Sequence, residues 1–134
     1  MDTTINGSGR LIVNGNYNNG ISVKKDLKIY GSSISINAVN NGIKGNNSVS
    51  IIEGNVAITA NDDGIKTTEE NDLTKGFIFI SDSVVEITAQ DDILQAVNAC
   101  VIRDGAEVRG RSYGSFINCK IGYVEGEEYT KSWQ

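Results

Sequence analysis

One short corner recurs along this chain at a fixed distance. Asn18-Asn19-Gly20-Ile21 returns as Asn40-Asn41-Gly42-Ile43 and again as Asp62-Asp63-Gly64-Ile65, each copy 22 residues after the last. A fourth version, Asp91-Asp92-Ile93, lacks the glycine. Repetition of residue identity at a fixed period of this size marks a solenoid, whose units bury together what one alone cannot. Equivalent residues of successive coils then stack, so one pattern predicts both the architecture and the place to look for a site.

The residues between corners alternate apolar and polar, as strands do. In successive coils the apolar pairs read Leu27/Ile29 with Ile34/Ile36, Val49/Ile51 with Val56/Ile58, Ile78/Ile80 with Val85/Ile87, and Ala99/Val101 with Ala106/Val108. Ala38, Ala60, Ala89 and Gly110 are read as one further equivalent position, and Ile21, Ile43, Ile65 and Ile93 as one inward column. Lys28, Ser35, Ser50, Ala57, Glu86, Thr88, Glu107 and Arg109 then face outward. Fifteen glycines and no proline suit many tight corners, while four leucines are too few for a leucine-rich repeat. Alternation alone also admits a sandwich of hairpins, but in-phase identity favours stacked parallel coils.

The expected fold is therefore all-β, a right-handed parallel β-helix of 22-residue coils forming a single domain. Full coils run from about 20 to 114, with partial coils over 5–19 (Leu11 and Val13 inward) and 115–134 (Ile117, Ile121 and Val124, ending in Tyr129 and Trp133). About seven extra residues in Thr67–Lys75 form a polar bulge beside the acidic corners. Solenoid ends need caps. None with a strongly polar helix is visible, so the expectations are a piece of a longer solenoid or end-to-end self-association.

A net charge of −5 argues against nucleic acid, whose phosphates demand cations. No apolar run is long enough to span a membrane. Met1-Asp2-Thr3-Thr4 carries neither segment of a signal peptide, which leaves a cytoplasmic protein or one whose leader lies outside this sequence. Cys100 and Cys119 sit almost one coil apart; a stacked disulfide and two free thiols both remain open.

The corner column reads Asn18-Asn19, Asn40-Asn41, Asp62-Asp63, Asp91-Asp92, then Ser112-Tyr113. Carboxylates one strand spacing apart, ~4.8 Å, repel by roughly 3 kcal/mol at an effective dielectric of about 20. Four of them need proton sharing, a cationic side chain or a bound ion. Calcium suits an all-oxygen corner, with Asp62, Asp63, Asp91 and Asp92 as ligands and Asn40, Asn41 and Asn61 as secondary ligands. The chain has no histidine, so transition metals lack a ligand set, and magnesium asks for stricter geometry. The two Asn-Asn corners read instead as a structural ladder.

Gly42-Ile43-Lys44-Gly45, Ser48-Val49-Ser50-Ile51, Val56-Ala57-Ile58-Thr59-Ala60 and Asn61-Asp62-Asp63-Gly64-Ile65-Lys66 resemble the clostridial cellulose- and pectin-binding β-helix family, related in fold to family 9 pectate lyases. The resemblance covers about Gly20 to Asp92. It implies a right-handed parallel β-helix, calcium on the stacked acidic residues, polygalacturonate or cellulose as partner, and action at the cell surface.

The first functional reading is a non-catalytic, calcium-assisted polysaccharide-binding module, with Tyr113, Lys66 and Lys44 as candidate sugar contacts and Tyr17 near the same edge. The second is a calcium-dependent polyuronate lyase, in which calcium neutralises the uronate and Lys66 or Lys44 takes the proton. The third is a structural segment of a surface adhesin with no ligand.

Overall fold

A computed structural model describes residues 2–125, and within them every regular element is a strand. The first turn of chain supplies β1 (Thr3–Asn6) and β2 (Arg10–Gly15). Each later coil adds three strands: β3 (Ile21–Val23), β4 (Asp26–Tyr30) and β5 (Ser33–Ala38), then β6 (Ile43–Gly45), β7 (Ser48–Ile52) and β8 (Asn55–Ala60). They are followed by β9 (Ile65–Thr67), β10 (Phe77–Ser81) and β11 (Val84–Ala89), and by β12 (Leu94–Gln95), β13 (Ala99–Arg103) and β14 (Glu107–Ser112). β15 (Ile117–Asn118) and β16 (Ile121–Val124) close the described chain. Tyr129 and Trp133 lie outside the described residues.

Third neighbours pair in parallel to give three sheets, ordered β1-β4-β7-β10-β13-β16, β2-β5-β8-β11-β14 and β3-β6-β9-β12-β15. The molecule is a β-solenoid of stacked parallel coils. Its core is a set of straight apolar columns, one of which runs Leu27, Val49, Ile78 and Cys100, all buried. Another runs Ile34, Val56, Val85 and Val108. Each column is the inward half of the alternation, and the tight turns between strands hold its phase.

The fourth coil departs from the expected register. Cys100 and Ile102 are the buried pair there, while Ala99 and Val101 lie opposite Phe77 and Phe79 on the outer side. Val108 and Gly110 oppose Val85 and Ile87, so Ser112, not Gly110, continues the column of Ala38, Ala60 and Ala89. The further step at β14 comes from an extra turn residue. β10 and β11 are joined through Asp82 at positive φ, whereas the next turn uses two such residues, Asp104 and Gly105. Alternation could not reveal the slip, because both rows of β13 are apolar.

Leu94, not Ile93, pairs with Ile65, so the isoleucine column runs Ile21, Ile43, Ile65 and then Leu94. Ile93 occupies the position of the corner glycine. At Gly20, Gly42 and Gly64 an added Cβ would collide with Cγ2 of Ile36, Ile58 and Ile87, respectively. In the fourth coil the matching strand position is Gly110, and Ile93 Cδ1 lies 3.0 Å from where a Gly110 Cβ would stand. Glycine and isoleucine have exchanged places, and the core volume is kept.

The inserted segment is shorter than Thr67–Lys75. Thr67 ends β9 and is buried, Thr68 and Glu69 N–H both donate to Asn46 O, and Gly76 N–H donates to Asn47 O. The remaining bulge carries Leu73 out into solvent and is pinned by Asn98 Nδ2 donating to Lys75 O at 2.7 Å. Cys100 pairs with Gly122 rather than Cys119, and both thiols are free. Burial, then Cys119, raises the Cys100 pKa. Ile117 continues the inward column from Leu94, whereas Ile121 is exposed.

Candidate functional site

The corners stack with two different chemistries. At the second corner position each side chain caps the next coil's backbone. Asn19 Oδ1 accepts from Asn41 N–H and Asn41 Oδ1 from Asp63 N–H, both at 3.2 Å. Asp63 Oδ1 accepts from Asp92 N–H at 2.9 Å, and Asp92 Oδ1 from Ser115 N–H at 2.7 Å. The fifth corner is therefore Gly114-Ser115, not Ser112-Tyr113. This ladder needs only an acceptor oxygen, so Asn and Asp serve equally well in it.

The first corner position differs. Asn40 Nδ2 donates to Asn18 Oδ1 at 2.6 Å, a donor meeting an acceptor. One coil on, Asp62 and then Asp91 occupy this column, their backbones linked by Asp62 N–H to Asn40 O and Asp91 N–H to Asp62 O. Neither ionised side chain can donate, so the amide ladder stops and carboxylates gather. One oxygen from each of Asp62, Asp63 and Asp91 lies within 4.8 Å of the others.

The electrostatic consequence falls on Asp63. Burial, with Asp62, Asp92 and Asp91 adding repulsion, pushes its carboxyl from 3.8 up to about 6, despite the hydrogen bond from Asp92 N–H that pulls the other way. Asp91 is also raised, by partial burial first and then by Asp92 and Asp62. Lys66 Nζ stands 3.9 Å from Asp63 Oδ2 and partly offsets this charge. The three-residue spacing from Asp63 to Lys66 is the sequence signal for this contact.

Asp92 turns away from the other three. Its Oδ2 accepts from Asn118 Nδ2 at 2.9 Å while Oδ1 serves the ladder. Asn41 likewise spends its oxygen on the ladder, Asn40 reaches back to Asn18, and Asn61 is exposed one step before the corner. Lys44 pairs with Lys66, and that outward row continues to Gln95 and Asn118. Gln95 Oε1 is buried without a hydrogen-bond donor among the described residues, in a cleft it shares with Lys66, Thr68, Glu70 and Asn118. Tyr113 and Tyr17 are both well exposed.

On the other side of the corner a shallow groove runs over the outer face of β5, β8, β11 and β14, ending at Gln90 and Tyr113. Gly114, next in the chain, leaves room for the carboxylates: a Cβ there would stand 2.5 Å from Asp92 Oδ1 and 2.7 Å from Asp91 Oδ1.

The clustered oxygens fit a hard cation that takes many oxygen ligands at flexible geometry, as calcium does. Asp62, Asp63 and Asp91 are the residues that could hold such an ion, and Asp63 Oδ2 would have to exchange Lys66 for it. The free thiols lie on β13 (Cys100) and between β15 and β16 (Cys119), outside this donor set.

Residues 1–116 match the family of carbohydrate-binding domain-containing proteins. A relative from Acetivibrio thermocellus, described as a carbohydrate-binding domain-containing protein, is 49% identical over 127 residues, covering 93% of this chain and 44% of the relative. The solved structure of a polysaccharide lyase-like protein from C. thermocellum, a gadolinium derivative, superposes with a TM-score of 0.90 at 39% identity, covering 96% of this chain and 52% of that one. The chain thus spans about half the length of each. With its parallel solenoid and stacked corners, this chain belongs to the carbohydrate-binding domain family.

Proposed function

We propose that this domain is a non-catalytic, calcium-assisted binding module for acidic plant cell-wall polysaccharide of the polygalacturonate type, acting at the cell surface. The observation that carries the reading is the replacement of an amide ladder by the carboxylates of Asp62 and Asp91, beside which Asp63 brings a third. A divalent cation offsets their repulsion and keeps coordination positions for a uronate carboxylate, which an acidic protein would otherwise repel.

The lyase reading draws on the same relative and on Lys66 beside the corner. It requires Lys66 to leave Asp63 and act as a base. Calorimetric titration with polygalacturonate and with soluble cello-oligosaccharide, each in calcium and in chelator, tests the proposal. Polygalacturonate should bind at least tenfold more tightly in calcium. Equal affinity after chelation would remove calcium from the account. Appearance of unsaturated uronate absorbance during the titration would establish the lyase instead.

A further inference from the structure

The groove beside the acidic corner carries a charge pattern opposite to that of the whole chain. Three outward rows cross the sheet, fixed by the parallel register: Arg10, Ser33, Asn55, Val84, Glu107; Ile12, Ser35, Ala57, Glu86, Arg109; and Asn14, Asn37, Thr59, Thr88, Arg111. Three arginines against two glutamates make this face net positive in a chain of net charge −5. Arg109 is already engaged, bonded to Glu107 along its strand and lying opposite Glu86 on the next. Arg111 forms no ion pair among the described residues; its cross-strand neighbour is Thr88 and it lines the groove next to Tyr113.

We infer that this groove is a second, metal-independent subsite for an acidic polysaccharide strand, with Arg111 receiving a uronate carboxylate. The inference rests on the polysaccharide reading above and extends it to a surface across the corner from Lys66. The row from Asn37 through Thr59 and Thr88 to Arg111 offers one hydrogen-bonding side chain per strand. The strand repeat of ~4.8 Å is close to the length of a sugar ring, so a glycan lying along the solenoid axis meets each in turn. Small side chains at Ser35 and Ala57 keep the groove floor low. A planar guanidinium matches a carboxylate through two parallel hydrogen bonds, and its charge complements a polyanion that the rest of the protein repels. Tyr113, at the end of the groove, adds an exposed ring face for a sugar.

The test is titration of the full chain with polygalacturonate in excess chelator, where the carboxylate corner holds no ion. The parent should retain weak binding that fades as salt is raised. Arg111→Gln should lose that remainder at least tenfold, Arg111→Lys should keep part of it, and Lys28→Gln, on the neighbouring sheet's outer face, should change nothing. In calcium, Arg111→Gln should still weaken polygalacturonate several-fold, with an unchanged melting temperature. Strong binding in calcium that Arg111→Gln leaves untouched overturns the subsite and leaves the calcium reading standing. Equal weakening of cellohexaose would make the occupant a neutral glucan and overturn the acidic assignment. No polygalacturonate binding even in calcium overturns the proposed function and this subsite together.

Discussion

The Asn18-Asn19 and Asn40-Asn41 corners and the Asp62-Asp63 and Asp91-Asp92 corners occupy the same edge of the same solenoid, yet they hold it together differently. In the first two coils every corner side chain finds a complementary partner one coil away, amide to amide and carbonyl to backbone N–H. In the next two the backbone caps persist, but the outer pair becomes carboxylate facing carboxylate. A change of one atom type from nitrogen to oxygen, at constant shape, separates a self-satisfied ladder from a site that asks for a cation. The coils also differ beneath the corner, where Gly64 over Ile87 gives way to Ile93 over Gly110.

That exchange offers the largest expected effect. Ile93→Ala empties the space that Gly110 leaves open in the fourth coil, and should destabilise the fold by about 3 kcal/mol in denaturant titration. A loss below about 1 kcal/mol would mean that Ile93 does not fill the role Ile36 and Ile58 fill in the earlier coils.

Next comes the metal. Saturating calcium, at about a hundredfold over its Kd, should add close to 3 kcal/mol to the parent in thermal melting. The double variant Asp62→Asn with Asp91→Asn rebuilds the amide ladder of the earlier coils and should gain nothing from calcium. Without calcium it should be more stable than the parent by about 1 kcal/mol, a modest gain because both carboxylates are partly solvated. A calcium response surviving in this variant would break the contrast between the two kinds of corner.

The pH dependence sharpens the same contrast. Asp63 binds its proton more tightly folded than unfolded, its pKa rising from 3.8 to about 6. Without calcium this group contributes stability that is present below about pH 4 and lost as pH rises through about 6. Calcium must displace that proton, so its affinity should climb over the same window. The melting-temperature gain from calcium should be small at about pH 4.5 and full at about pH 7.5. Asp63→Asn, matching Asn41, should shrink the descending limb of the calcium-free profile to the part that Asp91 contributes.

The smallest effect belongs to Lys66, which pairs with Asp63 and would compete with calcium bound there. Lys66→Gln should cost at most about 1 kcal/mol in chelator, as partly exposed pairs do. It should also tighten calcium several-fold, because the competing ammonium is gone. Weaker calcium binding would instead make Lys66 a support of the site.

The solenoid itself was written in the primary sequence. A 22-residue recurrence of Asn-Asn-Gly-Ile and Asp-Asp-Gly-Ile, with period-2 apolar residues between, leaves stacked parallel coils as the one arrangement in which identical residues meet. The Asp-Asp-Ile match also brought Asp91 over Asp62, although the inserted segment lengthens that step to 29 residues. Tertiary structure decided what periodicity cannot encode. β14 lies two places from the expected register, one of them the extra turn residue at Asp104-Gly105, and Ile93 took the glycine's position because Gly110 had vacated the core beneath it. It also turned Asp92 toward Asn118, brought Lys66 to Asp63, and set Arg111 at the end of a polar row. Each of these depends on where a side chain points and which neighbour reaches it first. A repeat pattern fixes which residues stack; the direction of a carboxylate or a guanidinium is settled only by the packed surroundings.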